Sequence, residues 1–395
     1  MIKKIIKKIF MNVFGYFPVL TDPNFDLRQA KKIFFFISSR CIGDSITVSF
    51  FAREFHRLCP GAELVMGAVN AETAQVLSNG FARVVEFPSN FIGIIKFLRK
   101  EKFDVIISLP GGAEHKWQLP YYLSGAKAVI LEKTEEYSYP YARYFDVDEP
   151  RHKTKSYERL LRLFCPENAE IDSSYEVNLN GMLKASCEDR NKSRNSSDRP
   201  VLLFNPESRS QLRTISVEKT ADIIKGILEK SDCVIKLLSY NYDCASVDRL
   251  NAGNKCSRLF FLHVRNLPDL FKEIYMADYM LTVDTSSVHI AEMYGIPMTV
   301  LYKLVVPGKE INDIEGMAEL KGKIGEGKAP YPCGEKPGKM FCAKCGLCAF
   351  YTRAENADIL VGNYRQENIP NDIIVKSCLK GLRKIRESHL LRTER

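Results

Sequence analysis

The sequence lacks any apolar run that approaches the roughly 18 residues needed for a membrane-spanning helix. No G-x-G-x-x-G motif follows the first predicted strand of either half, which argues against a nicotinamide-dependent oxidoreductase. A secretory signal is also missing near the N-terminus, since the apolar centre is short and has no small-residue cleavage site. We therefore expect a reducing compartment, where clustered cysteines indicate a metal before they indicate disulfides.

The body of the chain carries no net charge. Of the formal net charge of +9, residues 1–10 contribute four lysines, or +4. Residues 376–395 contribute seven Lys and Arg against two Glu, or +5, so the remainder is neutral. A nucleic-acid binder usually carries a basic face across its folded core, so we expect no nucleic-acid partner.

The first fourteen residues have the pattern of an interfacial amphipathic helix. Lysines at positions 3, 4, 7 and 8 lie beside apolar residues that recur at helical spacing. These apolar residues are Ile2, Ile5, Ile6, Ile9, Phe10, Val13 and Phe14. The pattern predicts attachment to an anionic membrane surface, with roughly 1 kcal/mol from each lysine. The alternative is a helix that only caps the first domain.

The 395 residues are enough for two globular domains, and strand and helix signals alternate twice along the chain. The first series predicts strands at residues 33–37, 62–66, 83–87, 105–109 and 128–131. The second series predicts strands at residues 201–205, 234–238, 259–262, 279–283 and 298–302. The fold class is therefore α/β, with two Rossmann-like, doubly wound domains that face each other across a cleft.

A polar segment without periodicity, residues 186–199, predicts a linker between the two domains. The first domain is then residues 1–185, including the basic amphipathic segment. The second domain is residues 200–372, and a basic helix at 373–395 follows it. Ligands of such folds bind at the carboxyl ends of the strands, so the loops there are the place to look for chemistry.

The segment VDTSSVHIAEM indicates an anion site at the start of a helix. Asp284 ends a predicted strand, and Thr285, Ser286 and Ser287 then open a helix that carries His289. Such side chains satisfy the free N–H groups of the first turn, and the positive end of the helix dipole favours an anion. Ordinary helix capping explains the same pattern, and His289 is equally consistent with packing inside its helix.

The segment FNPESRSQLRT places Arg209 and Arg213 after the carboxyl end of another predicted strand. Guanidinium groups match phosphate oxygens geometrically, so two of them on one loop suit a diphosphate. Solvated surface arginines are the alternative. Taken together, the two loops predict a site for a polyanion.

The same segments resemble glycosyltransferase family 9, the lipopolysaccharide heptosyltransferases. VDTSSVHIAEMYGIP is similar to the donor-binding signature of that family, and SSRCIGDSITVSFFAREFHRLCPGAEL is similar to its first loop and helix. The likeness spans residues 31–320 and includes NLPDLFKEIYMADYML and HKTKSYERLLRLF. Three departures stand out: Ser286 and Ser287 in place of a glycine, Asn205-Pro206-Glu207 in place of a His-Pro-Gly-like turn, and Lys303-Leu304-Val305 in place of a Gly-Pro-[ST] turn.

The resemblance implies a GT-B architecture that transfers a heptose from ADP-heptose, with inversion, to a lipopolysaccharide or lipooligosaccharide core. It implies no cofactor for catalysis and a cytoplasmic enzyme that is peripheral on the inner face of the bacterial inner membrane. Asp44 would be the general base, although it could instead be a helix cap. The implied donor contacts are Arg209, Arg213, Asp243, Asp284, Thr285, Ser286, Ser287 and His289. The implied acceptor contacts are Ser39, Arg40, Lys116, Arg151 and His152.

Four cysteines near residue 340 form a C-x8-C-x2-C-x2-C array: Cys333, Cys342, Cys345 and Cys348. Four thiolates at this spacing can surround a tetrahedral zinc or iron ion. Such a metal would be structural. Unligated thiols are the alternative.

Other function classes stay open. They are a nucleotide-sugar epimerase of the same fold, a heptosyltransferase that modifies a protein acceptor, and a non-catalytic binding protein. Asp146-Val147-Asp148 could also indicate a metal-dependent sugar transferase. That alternative is disfavoured, because the motif lies in an aromatic, charged loop and does not follow a clear buried strand.

Overall fold

A computed structural model describes the main elements of both halves of the chain. The described residues are 22, 24–37, 41–78, 80–88, 90–109, 120–121, 123–132, 143–145, 153–177, 199–209, 213–238, 257–303, 357–362, 367 and 369–393. The chain divides into two compact units. The first unit comprises residues 1–149 and 154–177, and the second comprises residues 150–153 and 178–395.

The first unit is built on a parallel sheet of six described strands in the order β3-β2-β1-β4-β5-β6. Its elements are β1 (Lys32–Ile37), α1 (Ile42–Leu58), β2 (Glu63–Ala68), α2 (Ala71–Leu77), β3 (Arg83–Glu86), α3 (Phe91–Glu101), β4 (Val105–Leu109), β5 (Ala128–Glu132), β6 (Arg143–Phe145) and α4 (Lys153–Leu161). A short 3₁₀ helix, Leu27–Gln29, precedes β1. The side chains of Asn70 and Asn90 cap α2 and α3 by accepting the N–H groups of Thr73 and Gly93.

Phenylalanines of β1 provide the core on both faces of this sheet. Phe34 and Phe36 point to one face, where they contact Phe87. Phe35 points to the opposite face, and its ring centroid is 4.9 Å from that of Phe51 in α1. Successive side chains of a strand alternate between faces, so a continuous apolar run is what a sheet covered on both sides requires.

The second unit repeats this arrangement. Its sheet has six described parallel strands in the order β12-β11-β10-β7-β8-β9, which is the same order as in the first unit when each set is numbered along the chain. Its elements are β7 (Val201–Asn205), α5 (Val217–Lys230), β8 (Val234–Leu238), β9 (Leu259–Leu262), α6 (Leu267–Met276), β10 (Tyr279–Val283), α7 (Ser286–Met293), β11 (Met298–Lys303), β12 (Ala357–Gly362) and α8 (Asn371–Thr393). The predicted fold class of two α/β, doubly wound domains is confirmed.

Helix α8 belongs to the core of the second unit. Its residues Ile374, Val375, Cys378 and Leu382 are buried in the same apolar cluster as residues of α5 and of the sheet. The sheet is tied to α8 by a chain of hydrogen bonds between side chains. The hydroxyls of Tyr279 and Thr299 are 2.8 Å apart, those of Thr299 and Ser377 are 2.7 Å apart, and Ser377 donates to Asp358.

The strand predictions match the structure except for two edge strands, one in each sheet. In the second half, the predicted ranges 201–205, 234–238, 259–262 and 279–283 agree with β7 to β10. The edge strands β6 and β12 were not predicted. β6 has only three residues, and β12 carries the charged Asp358 inside its apolar run, so both give weak signals.

Two predicted segments cannot be compared with the structure. The amphipathic segment of residues 1–14 lies outside the described residues, as does the linker of residues 186–199 apart from Arg199. Because the linker is not described, the domain boundaries stay a prediction.

In the part of the chain that is described, no helix is both long enough and apolar enough to cross a membrane.

The close contact of α8 with β10 predicts that Gly381→Ala destabilises the second unit. A Cβ atom on Gly381 would overlap the buried ring of Tyr279, whose hydroxyl is held by Thr299. Overpacking costs about 1–3 kcal/mol, and the overlap here involves three atoms of Tyr279 that would lie well within 3.0 Å of the new Cβ, so we expect a cost near the upper end, above the gain of roughly 1 kcal/mol from replacing a helical glycine. Chemical denaturation followed by circular dichroism should show a lower midpoint.

Gly226→Ala is the matched control, because it lies on α5 against the same helix. A Cβ atom there would be 3.0 Å from Cγ2 of Val375, a side chain that can yield by a few tenths of an ångström. We expect little change in its midpoint. Equal midpoints for the two variants would contradict the packing argument.

Candidate functional site

Asp44 lies in the first turn of α1, the helix that follows the carboxyl end of β1. The N-cap position of this helix is occupied by Cys41, so Asp44 is the third residue of the helix and not its cap. Its side chain is half-buried, and its backbone carbonyl accepts a hydrogen bond of 2.8 Å from the hydroxyl of Thr47. A carboxylate in the first turn is also favoured by the helix dipole.

The far half of α1 is fixed to the segment that ends the first unit. Arg53 contacts Asp172 and Glu176, both at about 3 Å. Glu54 is buried between Arg53 and Arg57 and accepts the N–H of Asp172. Burial alone would raise the pKa of Glu54, but the hydrogen bonds from Arg57, Asp172 and Arg53 outweigh it and lower the pKa. The helix that carries Asp44 is therefore held at its other end by a network of ion pairs around the buried Glu54.

Ser45 was not singled out from the sequence. Its hydroxyl is fully buried and, among the residues that the structure describes, finds no hydrogen-bond partner. Buried hydroxyls normally have a hydrogen-bond partner. The only feature of the sequence that could have drawn attention to Ser45 is its position directly after Asp44.

The second unit has its own candidate site at the point where the strand order reverses. The chain runs from β7 through β8 to β9 on one side, and from β10 through β11 to β12 on the other. β7 and β10 are parallel neighbours, with Asn205 paired with Thr282. Their carboxyl ends therefore meet at one edge, which is the position where doubly wound sheets bind ligands.

Arg213 and Asp284 form an ion pair at this edge. The guanidinium Nη1 is 3.2 Å from Oδ2 of Asp284, and the side chains are 31% and 16% exposed. Both residues were predicted to contact a donor, and the structure brings them together. The contact uses one N–H of a group that has five, so Arg213 retains donors for an anion.

The start of α7 is fixed to β7 by a buried hydrogen bond. Nδ2 of Asn205 donates to the hydroxyl of Ser287 at 3.0 Å, and both side chains are almost fully buried. Thr285 is the N-cap of α7, and its hydroxyl lies 3.4 Å from the backbone nitrogen of Ser287. Ser287 therefore positions the helix start, whereas Ser286 beside it is only half-buried.

His289 lies inside α7 and is 8% exposed. Its Nδ1 is 3.9 Å from Oε2 of Glu292, one turn further along the same helix. Of the two roles left open by the sequence, this burial favours packing over direct contact with an anion.

The loop after β7 holds the two predicted arginines. It is closed by a backbone hydrogen bond of 3.1 Å from Ile215 to Pro206, and the hydroxyl of Thr214 bonds to both backbone groups of Ser208. Arg209 is exposed on this loop, and Arg213 is half-buried.

The remaining predicted site residues lie outside the described residues. They are Ser39, Arg40, Lys116, Arg151, His152, Asp243, Cys333, Cys342, Cys345 and Cys348. Within the described ranges, no cluster of three or more His, Cys, Asp or Glu could hold a metal ion. The structural zinc or iron at the four cysteines is untested and stays a prediction.

Comparison with known families and structures gives one strong match in sequence. The model of glycosyltransferase family 9 (heptosyltransferase) matches residues 92–333, which is more than half of the chain. No curated protein matches the sequence.

The fold is shared with solved structures of low sequence identity. A glycosyl transferase family 9 protein from Veillonella parvula DSM 2008 aligns with a TM-score of 0.63 at 15% identity, covering 92% of this chain and all of that one. The E. coli ADP-heptose lps heptosyltransferase II aligns with a TM-score of 0.58 at 15% identity, over 90% and 99% of the two chains. The E. coli heptosyltransferase WaaC with ADP gives 0.57 at 12%, over 89% and 99%. At these identities the likeness shows the fold alone.

The buried hydrogen bond at the start of α7 predicts that Ser287→Ala destabilises the second unit even without ligand. The variant leaves the buried amide of Asn205 without its partner, which costs about 1–3 kcal/mol. A lower denaturation midpoint should report this loss. Ser286→Ala, one residue earlier and half-buried, is the control, and a midpoint as low as that of Ser287→Ala would refute the assignment.

Proposed function

Because the chain belongs to glycosyltransferase family 9, the heptosyltransferase family, we propose that it transfers a heptose from ADP-heptose to a lipopolysaccharide or lipooligosaccharide core. The chain is a glycosyltransferase. The observation that carries the proposed donor is the Arg213–Asp284 ion pair at the switch point of the second unit. Two solved structures that share this fold are, by their names, an ADP-heptose heptosyltransferase and a heptosyltransferase with ADP.

Donor binding is assigned to the second unit. The diphosphate of a nucleotide sugar carries negative charge that increases on the leaving group as the glycosidic bond breaks. Arg213, with Arg209 on the same loop, offers guanidinium donors to that charge. Asp284 does not contact phosphate in this scheme. It holds the guanidinium in place before the donor binds, which reduces the entropy lost on binding.

The N-terminal end of α7 supplies the second part of the donor site. Thr285 and Ser286 are available to the diphosphate at the positive end of the helix dipole. Ser287 acts through its bond to Asn205, which fixes that end to β7. Asp243 is proposed as a contact of the nucleoside, on the resemblance alone.

Proton abstraction is assigned to Asp44 of the first unit. The carboxylate accepts the proton of an acceptor hydroxyl, and the oxygen forms a bond to the anomeric carbon. The bond from that carbon to the diphosphate breaks on the opposite side, so the configuration inverts and ADP leaves. Ser39, Arg40, Lys116, Arg151 and His152 are proposed as acceptor contacts. No step in this scheme uses a metal ion.

The proposed acceptor is linked to lipid, and the proposed location is the cytoplasmic face of the inner membrane. The support is the basic, amphipathic pattern of residues 1–14, which suits an anionic membrane surface.

We expect Asp44→Asn to lower transfer by about 10²–10⁴-fold, because it removes the general base and keeps the side-chain shape. The measurement is ADP release from ADP-heptose in the presence of extracted lipid A core. Donor binding, followed by thermal shift, should stay the same. Glu86→Gln is the control, since Glu86 is an exposed carboxylate at the same edge of the sheet. Equal transfer by Asp44→Asn and wild type would remove Asp44 from the mechanism.

We expect Arg213→Gln to weaken ADP-heptose binding by about 10–100-fold, through loss of a charge-assisted hydrogen bond. Arg213→Lys should restore only part of the affinity, because an ammonium cannot reproduce the planar fork. Isothermal titration with ADP-heptose and other nucleotide sugars measures both effects and identifies the donor. Arg265→Gln, an exposed arginine after β9, is the control. Unchanged affinity in Arg213→Gln would place the donor elsewhere.

A further inference from the structure

The N-terminal tip of α3 exposes two neighbouring large apolar side chains. Phe91 is 44% exposed and Ile92 is 64% exposed. Leu163 and Phe260 are the other exposed large apolar residues in the described part of the chain, and neither is adjacent in sequence to another one. Adjacent exposed apolar side chains indicate an interaction surface more strongly than isolated ones do.

The local structure keeps this tip out of the core. Oδ1 of Asn90 accepts the N–H of Gly93 at 2.7 Å, which fixes the point where α3 begins. The buried stripe of the helix starts only at Ile94 and continues at Leu98, where both residues pack against the β1 phenylalanines. Phe91 lies three positions before Ile94, on the face of the stripe but at the end of the helix, and it stays 44% exposed. Ile92 lies two positions before the stripe and so falls on the opposite face of the helix.

The outer face of α3 is basic. Lys96 and Arg99 follow Ile92 at spacings of four and seven residues, so the three share one face, and Lys100 lies beside them. All three cationic residues are exposed, and Arg99 also donates from Nε to the carbonyl of Leu123 at 2.8 Å, which leaves its other N–H groups for an anion. The acid of the helix, Glu101, does not neutralise this face, because it binds Lys32 at 2.7 Å and also Arg83. The hydrogen bonds from Lys32 and Arg83 lower the pKa of Glu101.

We propose that this α3 surface, formed by Phe91, Ile92, Lys96, Arg99 and Lys100, docks on an anionic phospholipid bilayer. The apolar tip enters the interface, and the cations face the lipid headgroups, each with a favourable contribution. The mixed charge and apolarity favour a bilayer over a second copy of the chain, since a protein interface is depleted of lysine at its core.

The location of the surface fits an enzyme with a lipid-linked acceptor, so the biological role rests on the proposed function. α3 begins directly after the carboxyl end of β3, and Asp44 follows the carboxyl end of β1. The strands are parallel and two positions apart, so the two ends lie at one edge, about 10 Å from each other. Docking through α3 would bring the membrane to the edge of the sheet where Asp44 lies.

Two points of attachment to the membrane have a physical advantage over one. One membrane signal usually gives weak, reversible binding, and stable attachment takes two. The basic amphipathic pattern of residues 1–14 would be one signal. The α3 surface would be the other.

Vesicle binding of the full chain tests the proposal directly. The vesicles contain phosphatidylethanolamine with phosphatidylglycerol, and phosphatidylcholine vesicles serve as the uncharged comparison. The double variant Phe91→Ser/Ile92→Ser should partition about tenfold less well into anionic vesicles, because two apolar side chains no longer leave water. The matched control is Leu163→Ser/Phe260→Ser, which removes the isolated exposed apolar residues and should bind like wild type.

A charge variant examines the other half of the surface. Lys96→Glu/Lys100→Glu should bind anionic vesicles more weakly and lose part of the salt dependence seen for wild type. All altered side chains are exposed, and unchanged melting midpoints will show that the variants fold. If both α3 variants bind anionic vesicles like wild type, the proposal is wrong. It is also wrong if they change only the oligomeric state in sedimentation velocity, since the occupant would then be a second copy.

Vesicle binding needs neither donor nor acceptor. Failure of the proposed function would appear as absence of sugar transfer by wild type, with vesicle binding intact. Failure of this inference would appear as unchanged vesicle binding by the α3 variants, with sugar transfer intact.

Discussion

The parallel pairing of β7 with β10 is the constraint on which the candidate donor site depends. It brings Asn205 and Asp284 to one edge of the sheet although they are far apart in sequence. Two contacts then join the loops that leave these strands: Asn205 with Ser287, and Arg213 with Asp284. The first is buried and neutral, and it fixes the backbone of α7. The second is half-exposed and charged, and it leaves a cation facing the switch point.

These two contacts have different roles at the carboxyl edge of the sheet. A buried amide–hydroxyl bond is costly to leave unmade, so it holds α7 in one position. A half-exposed ion pair adds little to stability, so its main effect is to orient the guanidinium group of Arg213. The first unit follows the same plan with different residues. The buried Glu54 and its arginines hold α1 at one end, and the half-buried Asp44 lies at the other.

The alternation of strands and helices could be predicted because each buried strand is an apolar run bounded by turn residues. Phe34, Phe35 and Phe36 are such a run, and all three are buried. The two predicted loops of the second unit also lie at one edge in the structure. What the sequence could not give is which side chains pair there. Arg213 and Asp284 are 71 residues apart, and both are predicted as donor contacts; the structure adds that they form an ion pair with each other. Ser287 was interpreted in the same way, and its hydroxyl is buried against Asn205. Only the three-dimensional register of β7 and β10 shows that one residue of each pair supports the other.

Helix α8 has a consequence for the order in which the units form. The first unit is complete by Val177, apart from a short exchange at residues 150–153. The core of the second unit combines Leu202, near its beginning, with Leu382. During synthesis the first unit can therefore fold while the second is still being made, but the second cannot close until translation has passed Leu382. Until then, the part of α5 that packs against α8 stays exposed to water on the nascent chain.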